Sequence, residues 1–253
     1  MQDSLRIGCV KYLNARPLIE GWPGRVMFDH PAKLCRCLAN GSLDVALVSS
    51  FEFLRNPIYR IVDRISISSD GPVYSVVVAH TGKLSDLAEI ELDPAAETSV
   101  NLLRCLLSES GLRPRFVKGA ATSPIENRGR LLIGDQAIQF RRAHESEFKF
   151  WDLGEQWKRL AQLPFVYALW LVRPEVKNAE KIADRLRLIR DQNLQQIERL
   201  IAEHENPPFC DRYYREHLRF NFGMAEKDGL RLFEKLCGKH GLLPKRATKF
   251  DLV

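Results

Sequence analysis

Short apolar runs alternate with amphipathic stretches along the first two thirds of the chain, and this alternation predicts strands and helices in turn. Residues 6–10 (Arg6-Ile7-Gly8-Cys9-Val10) read as a buried strand, followed by polar Asn14 and Arg16 and by Pro17, where a helix can begin. Residues 25–29 form a second strand, and Pro31 opens a helix over 32–39 that stops at Asn40-Gly41. A third strand over 43–48 ends in Ser49-Ser50 before a helical turn starting at Phe51. Two β-rich runs, 61–69 and 73–80, flank Asp70-Gly71-Pro72, which suits a turn better than a regular hairpin loop.

The same unit then recurs. A strand at 90–92 leads through Glu97-Thr98-Ser99 into an amphipathic helix over 100–110, with Leu102, Leu103, Leu106 and Leu107 on one face. Residues 115–117 and 131–135 are further strands, and residues 148–152 lead through a turn into a short helix over 155–161. Residues 163–172 form the longest apolar β-like run. Ten residues are too few for a membrane span, yet enough to cross between two halves of a molecule. From residue 176 onward apolar positions recur at helical spacing among Arg, Gln and Glu, interrupted by Asn206-Pro207-Pro208.

Strands alternating with helices over short connections predict an α/β fold with largely parallel sheets. The two units, joined near Ala79 and Ala168, predict two lobes around a ligand cleft: residues 1–80 with 169–253, and residues 81–168. A chain of 253 residues, 45 % hydrophobic, can furnish the cores of both. The net charge of +6 is spread along the chain rather than gathered in a stripe. It therefore suits a small anion at least as well as a nucleic acid, for which no motif is present. No membrane span or signal-like apolar segment is visible, which leads to an expectation of a cytoplasmic protein. The six cysteines match no disulfide or zinc framework and read as buried thiols; the six histidines lack metal-ligand spacing, so neither a metal nor a cofactor is expected.

Candidate chemistry lies where strands end. Asn14, Ser49 and Ser50 sit at strand termini of the first lobe, and in the second Thr98 and Ser99 sit at a helix start and Asp135 at a strand terminus. This is the edge where open α/β sheets bind ligands. Hydroxyls in such places cap helices, hold an anion against the helix N-terminus, or do both. Ser75, alone among apolar neighbours from Tyr74 to Ala79, needs a hydrogen-bond partner that is either backbone or ligand. Asp135 either caps the helix that follows or acts as a base. Together these groups suit a small dianion held between the lobes and buried by hinge closure.

Several segments, in order, resemble the chorismate dehydratase family: residues 10–18 (Val10-Lys11-Tyr12-Leu13-Asn14-Ala15-Arg16-Pro17-Leu18), residues 43–50, Thr98-Ser99, residues 132–135 and residues 152–170. The resemblance implies a periplasmic-binding-protein type II-like fold. It also implies loss of water from chorismate to give 3-[(1-carboxyvinyl)oxy]benzoate, the step that opens the futalosine route to menaquinone. Asn14 and Asp135 would then be the catalytic candidates, with Ser49, Ser50, Ser75, Thr98 and Ser99 binding substrate. The base is either Asp135 or the substrate's own enolpyruvyl carboxylate. The naphthoate-forming lyase of the same pathway, a solute-binding module and a regulator's effector domain share the fold class and remain alternatives.

Overall fold

The computed structural model describes residues 5–93, 96–119 and 125–253. In chain order its elements are β1 (Ile7–Val10), β2 (Val26–Asp29), α1 (Pro31–Ala39), β3 (Val45–Ser49), α2 (Ser50–Arg55), β4 (Arg60–Ser69) and β5 (Val76–His80). Then come β6 (Glu89–Glu91), α3 (Glu97–Glu109), β7 (Arg115–Val117), β8 (Arg128–Ile133), α4 (Gly134–His144), β9 (Lys149–Asp152), α5 (Leu153–Ala161) and β10 (Phe165–Val172). The C-terminal part holds α6 (Ala179–Gln195), α7 (Ile197–Ala202), α8 (Pro207–Arg212) and α9 (Met224–Lys239).

The strands make two mixed sheets, ordered β2-β1-β3-β10-β4 and β7-β6-β8-β5-β9. In the first, β1 runs parallel to β2 and β3, while β10 is antiparallel to β3 and β4. In the second, β6 is parallel to β7 and β8, and β5 is antiparallel to β8 and β9. The chain changes sheets at 70–75 and again at 162–164. Residues 76–80, expected at the end of the first lobe, therefore belong to the second sheet, and residues 165–168 belong to the first. The apolar run over 163–172 does not cross the molecule. It forms a central strand whose every residue is buried, because both faces of the sheet are covered.

Local signals at the crossings explain the change of sheet. Val73 and Tyr74 donate their N–H groups to Asp152 (3.0 and 2.7 Å), which also caps α5 through the Glu155 N–H (3.1 Å). This ties 73–75 to the second lobe before β5 begins. Gly154 is required here: a side chain would meet the Gly71 carbonyl, the Ser69 hydroxyl at 2.7 Å and the Tyr167 hydroxyl at 2.9 Å. The helix expected to begin at Pro17 is instead a 3-10 turn over Leu13–Leu18 with Pro17 inside it. Tertiary bonds define that turn, because Asp135 accepts from the Leu13 N–H (2.9 Å) and Tyr214 donates to the Leu13 carbonyl (2.9 Å). All six cysteines are free thiols, and only Cys37 is not fully buried.

One hydrophobic cluster runs through both lobes. Trp157 of α5 meets Phe165 of β10 at 5.1 Å and Phe233 of α9 at 6.2 Å between ring centroids, so the lobes share a core behind the site. No helix among the described residues is long and apolar enough to cross a membrane.

Candidate active site

The ends of β1 and β3 and the first half of β10 face the starts of β5, α3 and α4 across a cavity of about 70 Å³. Five of the residues singled out from the sequence line it: Asn14 and Ser49 from the first lobe, and Ser75, Thr98 and Ser99 on the second-lobe side. Val10, Ile67, Val73, Val76, Ile133 and Ala168 supply the apolar part of the wall, and Tyr12, Glu97 and Tyr167 complete its polar part. No Lys, Arg or His lines it among the described residues.

Hydroxyls bridge the lobes at the cavity floor. The Thr98 hydroxyl hydrogen-bonds the Ser49 hydroxyl and accepts from the Phe51 N–H at 3.2 Å. Ser49 precedes α2 but does not cap it with its side chain; a residue of the opposite lobe does so instead. The two second-lobe helices open onto the cavity uncapped. The N-cap of α3 is Ala96 and that of α4 is Ile133, neither with a capping side chain, and both line the cavity along with Glu97, Thr98, Ser99 and Gly134. The positive ends of two helix dipoles thus converge on one space, an arrangement that attracts anions, although the first N–H of α4, that of Gly134, already donates to the Ser75 carbonyl at 2.8 Å. Gly134 has φ +57°, and a side chain there would press into the Tyr12 ring at 3.0 Å.

Ser50 and Asp135 do not reach this space. Ser50 is fully buried and donates to the Val166 carbonyl at 2.7 Å, the hydrogen bond its burial requires, so it supports the wall rather than binding substrate. Asp135 neither caps α4 nor faces the cavity. The helix begins one residue earlier, and the Asp135 carboxylate instead accepts from the Leu13 N–H and lines a separate, adjoining pocket of about 250 Å³ with Lys11, Arg16, Arg142 and His204. Burial raises its pKa, opposed by the Leu13 N–H.

Three features were missed in the sequence. Tyr167 lines the cavity, where burial holds its phenol far above the usual range; the only signal was a hydroxyl within an apolar run. Tyr12, pushed up to about 12 by burial and the carboxylates of Asp93 and Asp135, lines both the cavity and the pocket beside it. Tyr213 lies behind the wall and donates to the Ser75 hydroxyl at 2.7 Å. Adjacent tyrosines in a helical tail were its only sequence mark.

The grouping closest to a metal site among the described residues is Cys35, Glu52 and Glu97, whose ligand atoms lie within 4.8 Å of one another. Arg55 already bonds Glu52 and Glu97, the latter at 2.9 Å. Burial raises the Glu52 carboxyl and pushes the Cys35 thiol up to about 12. Two ion-paired carboxylates and a protonated thiol form a charge cluster in which Arg55 already holds the place a cation would take.

Two α/β lobes closing on a cavity walled by hydroxyls, an amide and helix starts define a protein of the periplasmic-binding-protein fold. Solved structures bear out this class. A protein of Archaeoglobus fulgidus superposes with a TM-score of 0.69 at 18 % identity, covering 94 % of this chain and 98 % of that one. The alkanesulfonate-binding protein SsuA of Xanthomonas axonopodis pv. citri, bound to MOPS, superposes with a TM-score of 0.67 at 16 % identity, covering 96 % and 95 %. The chain belongs to the menaquinone biosynthesis family, whose model matches residues 5–239. It is 31 % identical to the chorismate dehydratase of Thermus thermophilus over 259 residues, 92 % of this chain and 94 % of that relative.

Proposed function

We propose that the protein is a chorismate dehydratase, a hydro-lyase that converts chorismate to 3-[(1-carboxyvinyl)oxy]benzoate in the futalosine route to menaquinone. The observation that carries this reading is the convergence of two uncapped helix N-termini and the Ser49–Thr98 hydroxyls on one cavity that adjoins Asn14. A dicarboxylate fits such a wall without a cationic side chain, because N–H groups and dipoles meet its charge. The Glu97 carboxylate on the wall is offset by Arg55.

The proton to be lost lies on the ring carbon bearing the enolpyruvyl ether. Its departure sends charge through the ring alkene onto the ring carboxylate. Donors already aimed there stabilise the transition state, typically by about 3 to 4 kcal/mol for each well-placed one. The neighbouring carbon then expels its hydroxyl and the ring becomes aromatic; proton and hydroxide together make the water released. With Asp135 outside the cavity, we assign the base to the substrate's own enolpyruvyl carboxylate, held in reach by the wall. Opening and closing of the lobes about 70–75 and 162–164 would admit the ligand.

Incubation with chorismate, following the aromatic product, tests the reading: one equivalent of product is expected, and binding without turnover would make this a binding protein instead. Glu97→Gln tests the base. Turnover within about threefold of the unmodified protein is expected, whereas a loss of the order general bases supply, about 10²- to 10⁴-fold, would assign the base to Glu97.

A further inference from the structure

We propose that Tyr214 is a positioning residue that fixes the peptide leading into Asn14, so that the Asn14 amide meets the ligand in one set direction. The role rests on the dehydratase reading. Asn14 sits in the 3-10 turn over Leu13–Leu18, which has little of its own to hold it in shape. Such turns have poor hydrogen-bond geometry, Pro17 inside it has no N–H to give, and Tyr12 before it supplies no capping side chain. Its form is therefore set from outside. Tyr214 donates to the Leu13 carbonyl at 2.9 Å, while Asn193 of α6 donates to the Pro17 and Glu20 carbonyls at 3.1 and 2.9 Å.

The Tyr214 bond is the one next to Asn14. A peptide is planar, so the phenol that holds the Leu13 carbonyl also sets the plane of the Asn14 N–H and the Cα from which the amide projects. Tyr214 is suited to this. It is buried, as is Leu13, and burial raises its phenol far above the ordinary tyrosine range, so it remains a donor at any working pH. It belongs to the π-helical turn Tyr213–His217, a geometry frequent at functional sites. Asn14 in turn has something to offer a ligand, because it lines the cavity and its Oδ1 is buried with no hydrogen-bond partner among the described residues. A buried acceptor that the protein leaves free serves a ligand donor only when its direction is fixed. The dependence on alignment is steep: a misplacement of about 1 Å can cost about a hundredfold in rate.

Tyr214→Phe keeps the ring and removes the one bond. In the full chain, shown to be folded by circular dichroism, kcat for chorismate is expected to fall about tenfold while KM stays within about twofold, because the rest of the wall is untouched. Asn14→Ser, which removes the amide itself, is expected to lose at least as much. Adding Tyr214→Phe to it should change the rate by less than about twofold, since residues that act as one unit are not additive. The proposal fails if Tyr214→Phe leaves kcat within about twofold, if KM rises as kcat falls, if Asn14→Ser loses less than Tyr214→Phe, or if the two losses multiply. If the unmodified protein forms no aromatic product from chorismate, the dehydratase reading fails first and takes the positioning role with it; if it does form product, the variants judge the positioning role alone.

Discussion

The two lobes meet on two faces of opposite character. At the cavity they touch through a few polar contacts: Thr98 with Ser49 and the Phe51 N–H, and Asp135 with the Leu13 N–H. Behind it they share a dry core, where Trp157, Phe165 and Phe233 interlock and the Cys105 and Cys237 sulfurs lie 3.8 Å apart between α3 and α9. Glu109 closes that face with Lys239 at 2.7 Å and His240 at 2.6 Å. A hydrogen bond is worth about 0.5 to 1.5 kcal/mol net and is readily exchanged for one to water or ligand. Buried aromatic area has no such substitute in water. The polar face is therefore the one that can part, and the apolar face the one about which it parts.

Trp157→Ala is the strongest way to break this contrast. Removing a fully buried indole at the junction of α5, β10 and α9 is expected to cost about 3 to 5 kcal/mol in unfolding free energy by denaturant titration. A cost below about 1 kcal/mol would mean that the rear face is not the fixed one. Thr98→Val keeps the shape and removes the hydroxyl at the front. Water in the cavity can replace the lost bonds, so unfolding is expected to change by no more than about 1 kcal/mol, while kcat/KM for chorismate falls about tenfold or more. Equal losses in stability and activity would erase the distinction between the faces.

What the sequence revealed follows the same divide. Ser49, Thr98 and Ser99 were legible because a hydroxyl between a strand and a helix has few places to go, and an α/β sheet puts all such junctions on one edge. Asp135 met the same description and misled. The helix starts at Gly134 with φ +57°, and the next residue is turned about 100° around the axis, away from the cavity. The run over 163–172 signalled full burial but not location, because a continuous apolar strand looks alike whether it bridges two lobes or lies within one sheet. Tyr213 was out of reach. It lies in a π-helical turn and its hydroxyl bonds Ser75, 138 residues away, and neither leaves a periodic trace.

Asp135→Asn gives the smallest expected effect and the finest test, since Asp135 makes a polar contact beside the cavity without entering it. Turnover is expected to stay within about twofold, because the amide oxygen can still accept from Leu13. A loss of a hundredfold with the fold intact would bring the carboxylate into the chemistry after all. Stability should carry a pH signature of definite sign. Burial raises the folded pKa of this carboxyl above the unfolded value, so the folded state prefers the proton. Its favourable contribution is complete below the unfolded pKa of about 3.9 and is lost as pH rises through the folded value. The asparagine never ionises and escapes that loss. Melting curves should therefore show the variant gaining on the unmodified protein between acidic and neutral pH, with the two closest below pH of about 4. A gap that widens toward acid instead would mean that Leu13 and its neighbours stabilise the ionised carboxylate, and that the contact across the front holds the lobes together by charge.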